Sequence, residues 1–167
     1  QNARVVRDIL EVDKRDQGKF VLEHHSNLLP ELQNWKTKIL SENWDAPIIY
    51  TTSVQFLETL FSGGTRSARR MHQLARSVIV FDEIQTLPIK TIHLFCNAIN
   101  FLTTHCHSSV VLCTATQPLL NKVNKEKGYI RFSEKNEIIS DGKTIFKNLK
   151  RVEVINKIKP SGWEIPE

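Results

Sequence analysis

The chain has 167 residues, of which 40% are apolar and 25% charged, the proportions of an ordinary globular domain rather than a disordered or low-complexity chain. Apolar runs are only a few residues long, so no membrane span is expected. The chain has three cysteines, Cys96, Cys106 and Cys113. An odd number without paired spacing argues against a disulfide scaffold and favours a reducing compartment. The net charge is +5, and residues 122–159 hold 11 basic and 5 acidic side chains, which suits either a polyanion partner or a solvated surface.

Apolar spacing predicts helices and strands that alternate along the chain. Helices are predicted over 30–40, 54–61, 67–75 and 91–104, and apolar strands over 47–50, 78–81 and 110–113. The pattern weakens afterwards, where strands over 137–140 and 151–155 flank a helix over 144–149. Alternating helices and uninterrupted apolar strands indicate an α/β fold whose parallel sheet is covered on both faces.

Each of the three apolar strands ends in a compact polar group. Thr51, Thr52 and Gln55 follow the first, Asp82, Glu83 and Gln85 follow the second, and Thr114 and Thr116 follow the third. The carboxyl ends of parallel strands lie along one edge of a sheet, where open α/β folds bind their ligands. The sequence therefore predicts a binding site at this edge.

An Asp-Glu pair directly after a buried apolar strand is the pattern of a Walker B element. One carboxylate, that of Asp82, would help to hold Mg²⁺ on a nucleoside triphosphate, because Mg²⁺ prefers a few hard oxygen ligands and keeps its waters. The neighbouring carboxylate of Glu83 would orient the attacking water. A solvated turn with two acids is an equally simple interpretation of this pair taken alone.

The order of these groups resembles motifs II and III of superfamily 2 helicases, and the wider text resembles the CRISPR-associated helicase–nuclease of type I systems. The resemblance runs from about residue 20 to residue 120, with a looser fit through residue 152. It rests on four stretches, which are Glu23–Asn27, Ala46–Phe56, Phe81–Pro88 and Cys113–Pro118.

The resemblance implies a RecA-like parallel sheet flanked by helices, as part of the first motor domain. It implies that Asp82 serves Mg²⁺ and Glu83 the hydrolytic water, and that Gln85, Thr114 and Thr116 couple nucleotide state to the grip on DNA. Thr51, Thr52 and Gln55 match the family's motif that lies along single-stranded DNA, and hydroxyls at a strand end suit phosphate contacts. Arg69 and Arg70, which helical spacing predicts to point outward, belong to a basic cluster that would add charge for nucleic acid.

The family's Gly-x-x-x-x-Gly-Lys-Ser/Thr loop does not occur upstream of residue 51, so we expect the sheet to lack its P-loop strand. Gln1 opens the chain and Met71 is its single methionine, so we expect a piece of a longer protein. The expected organisation is a partial first RecA-like domain over 1–150 and the start of a linker over 151–167.

The sequence thus favours part of an ATP- and Mg²⁺-dependent translocase of single-stranded DNA that feeds a nuclease in antiviral defence. Expected partners are single-stranded DNA and a CRISPR guide-RNA surveillance complex, in the prokaryotic cytoplasm and away from membranes, with the isolated chain inactive. The alternatives are a nucleic-acid-binding or interaction module without catalysis and another helicase of the same superfamily with a different biological role. Asp141–Thr144 imitates the end of a P-loop but lacks its first glycine, and the six His and Cys between 93 and 113 fit no zinc template.

Overall fold

Short parallel strands and the helices between them form the first of two units in the chain. The computed structural model describes residues 2–10, 20–25, 35–114, 118–132, 134–139, 141–153 and 155. The two units comprise residues 1–131 and 132–167. In the first unit, the described helices are α1 (Asn2–Leu10), α2 (Trp35–Asn43), α3 (Ser53–Phe61), α4 (Thr65–Met71) and α5 (Ile92–His105), with single 3₁₀ turns at His72–Leu74, Ile84–Thr86 and Ile89–Thr91.

Two small parallel sheets are described, each with two strands. Strands β1 (Val21–His24) and β2 (Ile48–Thr51) pair in the register that sets Val21 opposite Ile48 and His24 opposite Thr51. Strands β3 (Val78–Phe81) and β4 (Ser109–Leu112) pair with Val78 opposite Ser109 and Phe81 opposite Leu112. Parallel pairing needs a long crossover, and helices supply it in both cases.

The centre of the core is a column of three aromatic rings. Phe81 at the end of β3 makes edge-to-face contacts with Phe56 of α3 and Phe95 of α5, with centroid separations of 4.9 and 4.8 Å. Edge-to-face pairs of this kind contribute about 0.5–1.5 kcal/mol beyond the area they bury. Helix α5 adds the buried side chains Cys96, Ala98, Ile99 and Leu102. The column therefore joins α3, β3 and α5.

The α/β class, the parallel pairing and the main elements of the first unit are confirmed. Strand 78–81 is as predicted, and the strands over 47–50 and 110–113 are each displaced by one residue. The predicted helix over 67–75 divides into α4 and a 3₁₀ turn. Residues 30–34 of the predicted helix 30–40 lie outside the described residues, and α2 continues to Asn43. Helix α1 and strand β1 have no counterpart in the sequence prediction.

The prediction of cover on both faces of the strands is wrong for β3 within the described chain. Ile79 and Phe81 face the packed side, whereas Val78 and Val80 on the opposite face are 72% and 59% exposed. Alternate side chains of a strand point to opposite faces, and no described element covers this second face. Strands β2 and β3 belong to different sheets, so a single RecA-like sheet stays a prediction.

In the second unit, the described residues form a 3₁₀ turn at Glu134–Asn136 and helix α6 (Gly142–Leu149). Asp141 caps α6, since its Oδ1 accepts the Thr144 N–H at 3.3 Å. The predicted helix is confirmed, but the described residues of the predicted strands 137–140 and 151–155 are not strand. Ile138 and Val152 are 82% and 71% exposed, because these apolar residues have no described partner strand to pack against. In neither unit is a described helix both long and apolar enough to cross a membrane.

The exposed face of β3, and the edges of β3 and β4 that no other described strand pairs with, predict self-association. Unpaired strand edges with apolar side chains promote pairing with another chain. We expect the chain to form oligomers at tens of micromolar, and Val80→Lys to shift it toward monomer, as measured by multi-angle light scattering. Ile138→Lys, which adds the same charge at an exposed residue outside the strands, should leave the distribution unchanged. A monodisperse wild-type monomer would contradict the prediction.

Candidate functional site

The side chain of Gln85 connects the carboxyl ends of β3 and β4. Its Nε2 donates a short hydrogen bond to Glu83 Oε2, and its Oε1 accepts one from Thr114 Oγ1 at 2.5 Å. We name Glu83, Gln85 and Thr114 the Gln85 bridge. The bridge is possible because β3 and β4 are neighbours, a pairing that Cys113 N–H extends by donating to Phe81 O at 2.8 Å. The structure thus brings together three of the predicted site residues.

Glu83 has a left-handed backbone, with φ of 53° and ψ of 45°. This conformation costs a residue with a Cβ atom about 1–2 kcal/mol. Local hydrogen bonds hold it, because Asp82 Oδ1 accepts the Glu83 N–H at 3.1 Å and Thr86 N–H donates to Glu83 O at 2.9 Å. Non-glycine residues held in such conformations concentrate at functional sites. The turn therefore presents both carboxylates to solvent just beyond the buried Phe81.

Asp82 has the donor chemistry for a hard cation. Its carboxylate is exposed, and Mg²⁺ is commonly bound by one or two carboxylates, water and substrate phosphate. Within the described residues, no three His, Cys, Asp or Glu side chains converge on a point where a metal ion could sit. A cation at Asp82 would accordingly take its remaining ligands from water or from phosphate.

Polar side chains at the end of β2 form a second group. Thr51 Oγ1 donates to His24 O at 2.8 Å, which joins the ends of β1 and β2. Thr52 is the N-cap of α3, with its Oγ1 accepting the Gln55 N–H at 3.3 Å. Gln55 Nε2 in turn donates to Glu58 Oε2 at 2.8 Å. Both threonines are exposed, so their position at the strand end is fixed while they remain accessible.

Arg70 and Arg69 are neighbours in α4 with different surroundings. Arg70 is half-buried; its Nε donates to Ser41 O at 3.2 Å, and an η-nitrogen donates to Gln55 Oε1 at 3.4 Å. Its guanidinium also lies 5.8 Å from the centroid of the Trp44 ring. Arg69 is exposed, and its Nε donates to Thr65 O at 3.4 Å. Arg70 thereby holds the side-chain amide of Gln55 in place, whereas the charge of Arg69 faces solvent.

Sequence reasoning missed the supporting roles of His24 and Trp44. Trp44 is 2% exposed, and its Nε1–H donates to His24 Nδ1 at 3.2 Å. Trp44 has a left-handed backbone with φ of 53°, a conformation rare for a bulky residue. Burial, followed by the nearby Arg70 and His25, lowers the pKa of His24 from 6.5 to about 4. His24 is therefore a neutral acceptor at physiological pH.

The two strand-end groups line one cleft. Thr51 and Thr52 line it from the end of β2, and Asp82 and Glu83 line it from the end of β3, around a volume of about 1150 Å³. Phe56 also lines the cleft, close to its contact with Phe81. These four residues thus line the same cleft from strands of different sheets, and their meeting along one sheet edge stays a prediction. Thr116 lies outside the described residues.

The two alternative motifs have ordinary structural roles. Cys96 is fully buried in α5, and burial raises the pKa of its thiol, which suits a packing residue. Asp141 caps the helix that follows it, so the stretch that imitates a P-loop is a capped turn. Both observations agree with the structural interpretation of these residues.

No protein-family model matches the chain. The chain is 32% identical, over 120 residues, to the CRISPR-associated nuclease/helicase Cas3 of Haloferax volcanii. The aligned stretch covers 72% of this chain and 11% of the Haloferax protein. The chain thus spans about a tenth of the length of that relative, and its similarity is to that part.

The lowered pKa of His24 predicts a loss of stability in acid. The folded state binds the proton less readily than the unfolded chain, so the stabilisation is complete above pH 6.5 and is lost as the pH falls toward 4. Because the ring is only half-buried, we expect a loss of about 1–2 kcal/mol in the free energy of unfolding across this window. Urea denaturation at several pH values measures it.

His24→Gln keeps an acceptor for the Trp44 N–H and removes the titrating ring. It should flatten this part of the pH dependence, whereas His72→Gln, which changes an exposed histidine, should not. Identical pH profiles for wild type and His24→Gln would show that protonation of His24 is not coupled to folding.

Proposed function

We propose that the chain is part of an ATP-dependent translocase of single-stranded DNA, of the kind found in CRISPR-associated helicase–nucleases. The Gln85 bridge carries the proposal, because it joins an Asp-Glu turn to the hydroxyl that ends the neighbouring strand. The similarity to Cas3 supports the same conclusion from sequence. A CRISPR guide-RNA surveillance complex is the proposed partner of the whole protein, in the prokaryotic cytoplasm.

In this proposal the β3 end serves the nucleotide. Asp82 holds Mg²⁺, which supplies charge neutralisation on the phosphates when bound, and Glu83 orients and polarises the attacking water. The contact of Glu83 with Gln85 fixes the direction of the carboxylate, and Thr114 fixes Gln85. Thr116 is proposed to act beside Thr114. A change at the reacting phosphate would then be transmitted to the end of β4 through the hydrogen bonds of the Gln85 bridge.

The β2 end serves the DNA. Thr51 and Thr52 are exposed hydroxyls at a strand end, suited to the sugar–phosphate backbone rather than to base edges. Gln55 lies in the first turn of α3, where Arg70 holds its amide. Arg69 supplies an exposed charge on the neighbouring helix α4. We therefore assign Arg69 to phosphate binding and Arg70 to the positioning of Gln55.

Glu83→Gln tests the nucleotide half, because it removes the charge that polarises water and keeps the side-chain shape. In a protein that carries this chain together with a phosphate-binding loop, we expect DNA-stimulated ATP hydrolysis to fall at least about 100-fold with ATP binding retained. Asp45→Asn, at an exposed carboxylate, is the control.

The 167-residue chain alone should not hydrolyse ATP. A P-loop makes most of the contacts that bind phosphate, and this sequence contains no complete P-loop motif. If Glu83→Gln left hydrolysis intact, the catalytic assignment of Glu83 would be wrong. If the wild-type protein bound nucleic acid without hydrolysing ATP, the alternative of a non-catalytic nucleic-acid-binding module would stand.

Arg69→Ala and Arg70→Ala separate DNA binding from positioning. Arg69→Ala should weaken binding of a labelled oligothymidine severalfold with unchanged stability, because an exposed charge is lost. Arg70→Ala should lower the free energy of unfolding by about 1–3 kcal/mol, since the hydrogen bonds to Ser41 and Gln55 are lost. Fluorescence anisotropy and urea denaturation measure the two effects. Equal losses of stability in both variants would refute the division.

A further inference from the structure

A second basic surface lies on the loop after β4. Residues 122–131, which we name the basic loop, carry Lys122, Lys125, Lys127 and Arg131 against the single acid Glu126. All four cations are exposed. Within the described part of the chain, none of them has a carboxylate oxygen within ion-pair distance. The positive charge of this loop is thus left for a partner or for solvent.

Helix α5 holds the backbone of the basic loop at three successive carbonyls. Asn97 Nδ2 donates to Lys127 O at 3.1 Å, His93 Nδ1 to Gly128 O at 2.9 Å, and Asn100 Nδ2 to Tyr129 O at 2.8 Å. Ile130 next to them is buried and its N–H donates to Leu120 O at 3.1 Å. The loop is therefore fixed on a helix of the core, unlike an ordinary surface loop.

Gly128 is required for this attachment. Its φ is +123°, and a Cβ atom at this position would lie 2.2 Å from Asn97 Oδ1. The backbone conformation disfavours a larger residue, and a Cβ atom would displace the Asn97 side chain that holds Lys127 O.

Two of the positive charges of the basic loop lie beside the ring of Tyr129. Lys125 Nζ lies 5.8 Å and Arg131 Cζ 5.7 Å from the centroid of its ring, and Arg131 Nε donates to Tyr129 Oη at 2.9 Å. Cation–π contacts at exposed sites are weakly stabilising, which offsets part of the repulsion between the two cations. An anion beside them would remove that repulsion, and side chains already held in place lose less entropy on binding.

We propose that the basic loop binds the phosphate backbone of single-stranded nucleic acid through Lys125, Lys127 and Arg131. Basic side chains beside an aromatic ring, as at Tyr129, are the combination with which proteins bind single strands without sequence preference. The guanidinium of Arg131 also fits phosphate oxygens. The inference goes beyond the proposed function, whose DNA contacts lie at Thr51, Thr52, Gln55 and Arg69. It requires no ATP hydrolysis, so it can fail or succeed independently.

The test measures binding of a labelled oligothymidine to the 167-residue chain by fluorescence anisotropy at several salt concentrations. Lys125→Gln combined with Arg131→Gln should weaken binding about tenfold near 0.1 M salt and lower the slope of log K against log salt by about 1.4, because two phosphate contacts are lost. Arg4→Gln combined with Lys147→Gln changes net charge equally at exposed sites, and it should leave the slope unchanged.

Tyr129→Ala is the sharper variant, because it changes no charge. It should weaken binding about threefold by releasing Lys125 and Arg131, whereas Tyr129→Phe, which keeps the ring, should bind more tightly than Tyr129→Ala. Circular dichroism and thermal melting establish that each variant is folded. If the double variant is unfolded, Lys125→Gln alone, at an exposed residue, replaces it in the binding test.

Three results would overturn the proposal. The first is a double variant that matches its control in both affinity and slope. The second is a duplex of equal length that binds more tightly with the same dependence on the loop. The third is a polyglutamate peptide that competes as well as the oligothymidine, which would make the partner an acidic protein segment. The first result, combined with loss of binding in Arg69→Ala, would leave the proposed function standing while it removes this inference.

Discussion

The edge-to-face contacts of Phe81 with Phe56 and Phe95 are the interaction on which the rest of the first unit depends. Strands β2 and β3 belong to different sheets, so no ladder of backbone hydrogen bonds fixes one strand end against the other. The ring column replaces it, because Phe56 lies in the helix that begins at the end of β2 and Phe81 is followed directly by Asp82. Phe95 extends the column into α5, which carries the basic loop.

Two left-handed residues show where packing in one case and hydrogen bonds in the other override local backbone preference. Trp44 accepts an unfavourable conformation at the end of α2 because its ring is buried and its N–H meets His24. Glu83 accepts one on an exposed turn, where little burial offsets a cost of about 1–2 kcal/mol. The first case is explained by the core alone. The second is held by local hydrogen bonds, because Asp82 Oδ1 accepts the Glu83 N–H and Glu83 O accepts both the N–H and the hydroxyl of Thr86.

Periodicity predicted the elements whose apolar residues meet a partner nearby. Strand 78–81 and the helix near 91–104 follow from the sequence because α5 buries a continuous stripe and β3 ends in the buried Phe81. The strands over 137–140 and 151–155 failed, since apolar residues form a strand only where another strand accepts their hydrogen bonds. Strand β1 was not predicted because its apolar run is only two residues long and is followed by Glu23 and His24. Its pairing with β2 also depends on a segment that is distant in sequence.

The sequence predicts that the candidate site consists of residues at the strand ends. It does not predict which basic residue faces solvent and which one positions a neighbour. Residues next to each other in sequence gave no sign that Arg69 and Arg70 differ, yet consecutive side chains on an α-helix point about 100° apart. One of them therefore reaches the backbone of α2 and the amide of Gln55 while the other faces solvent. The same geometry sets His93, Asn97 and Asn100 on one side of α5, at spacings of four and three residues, where they hold the basic loop. Helical spacing reveals such a row in the sequence, but its function depends on which chain segment lies across it, and that is determined by tertiary packing.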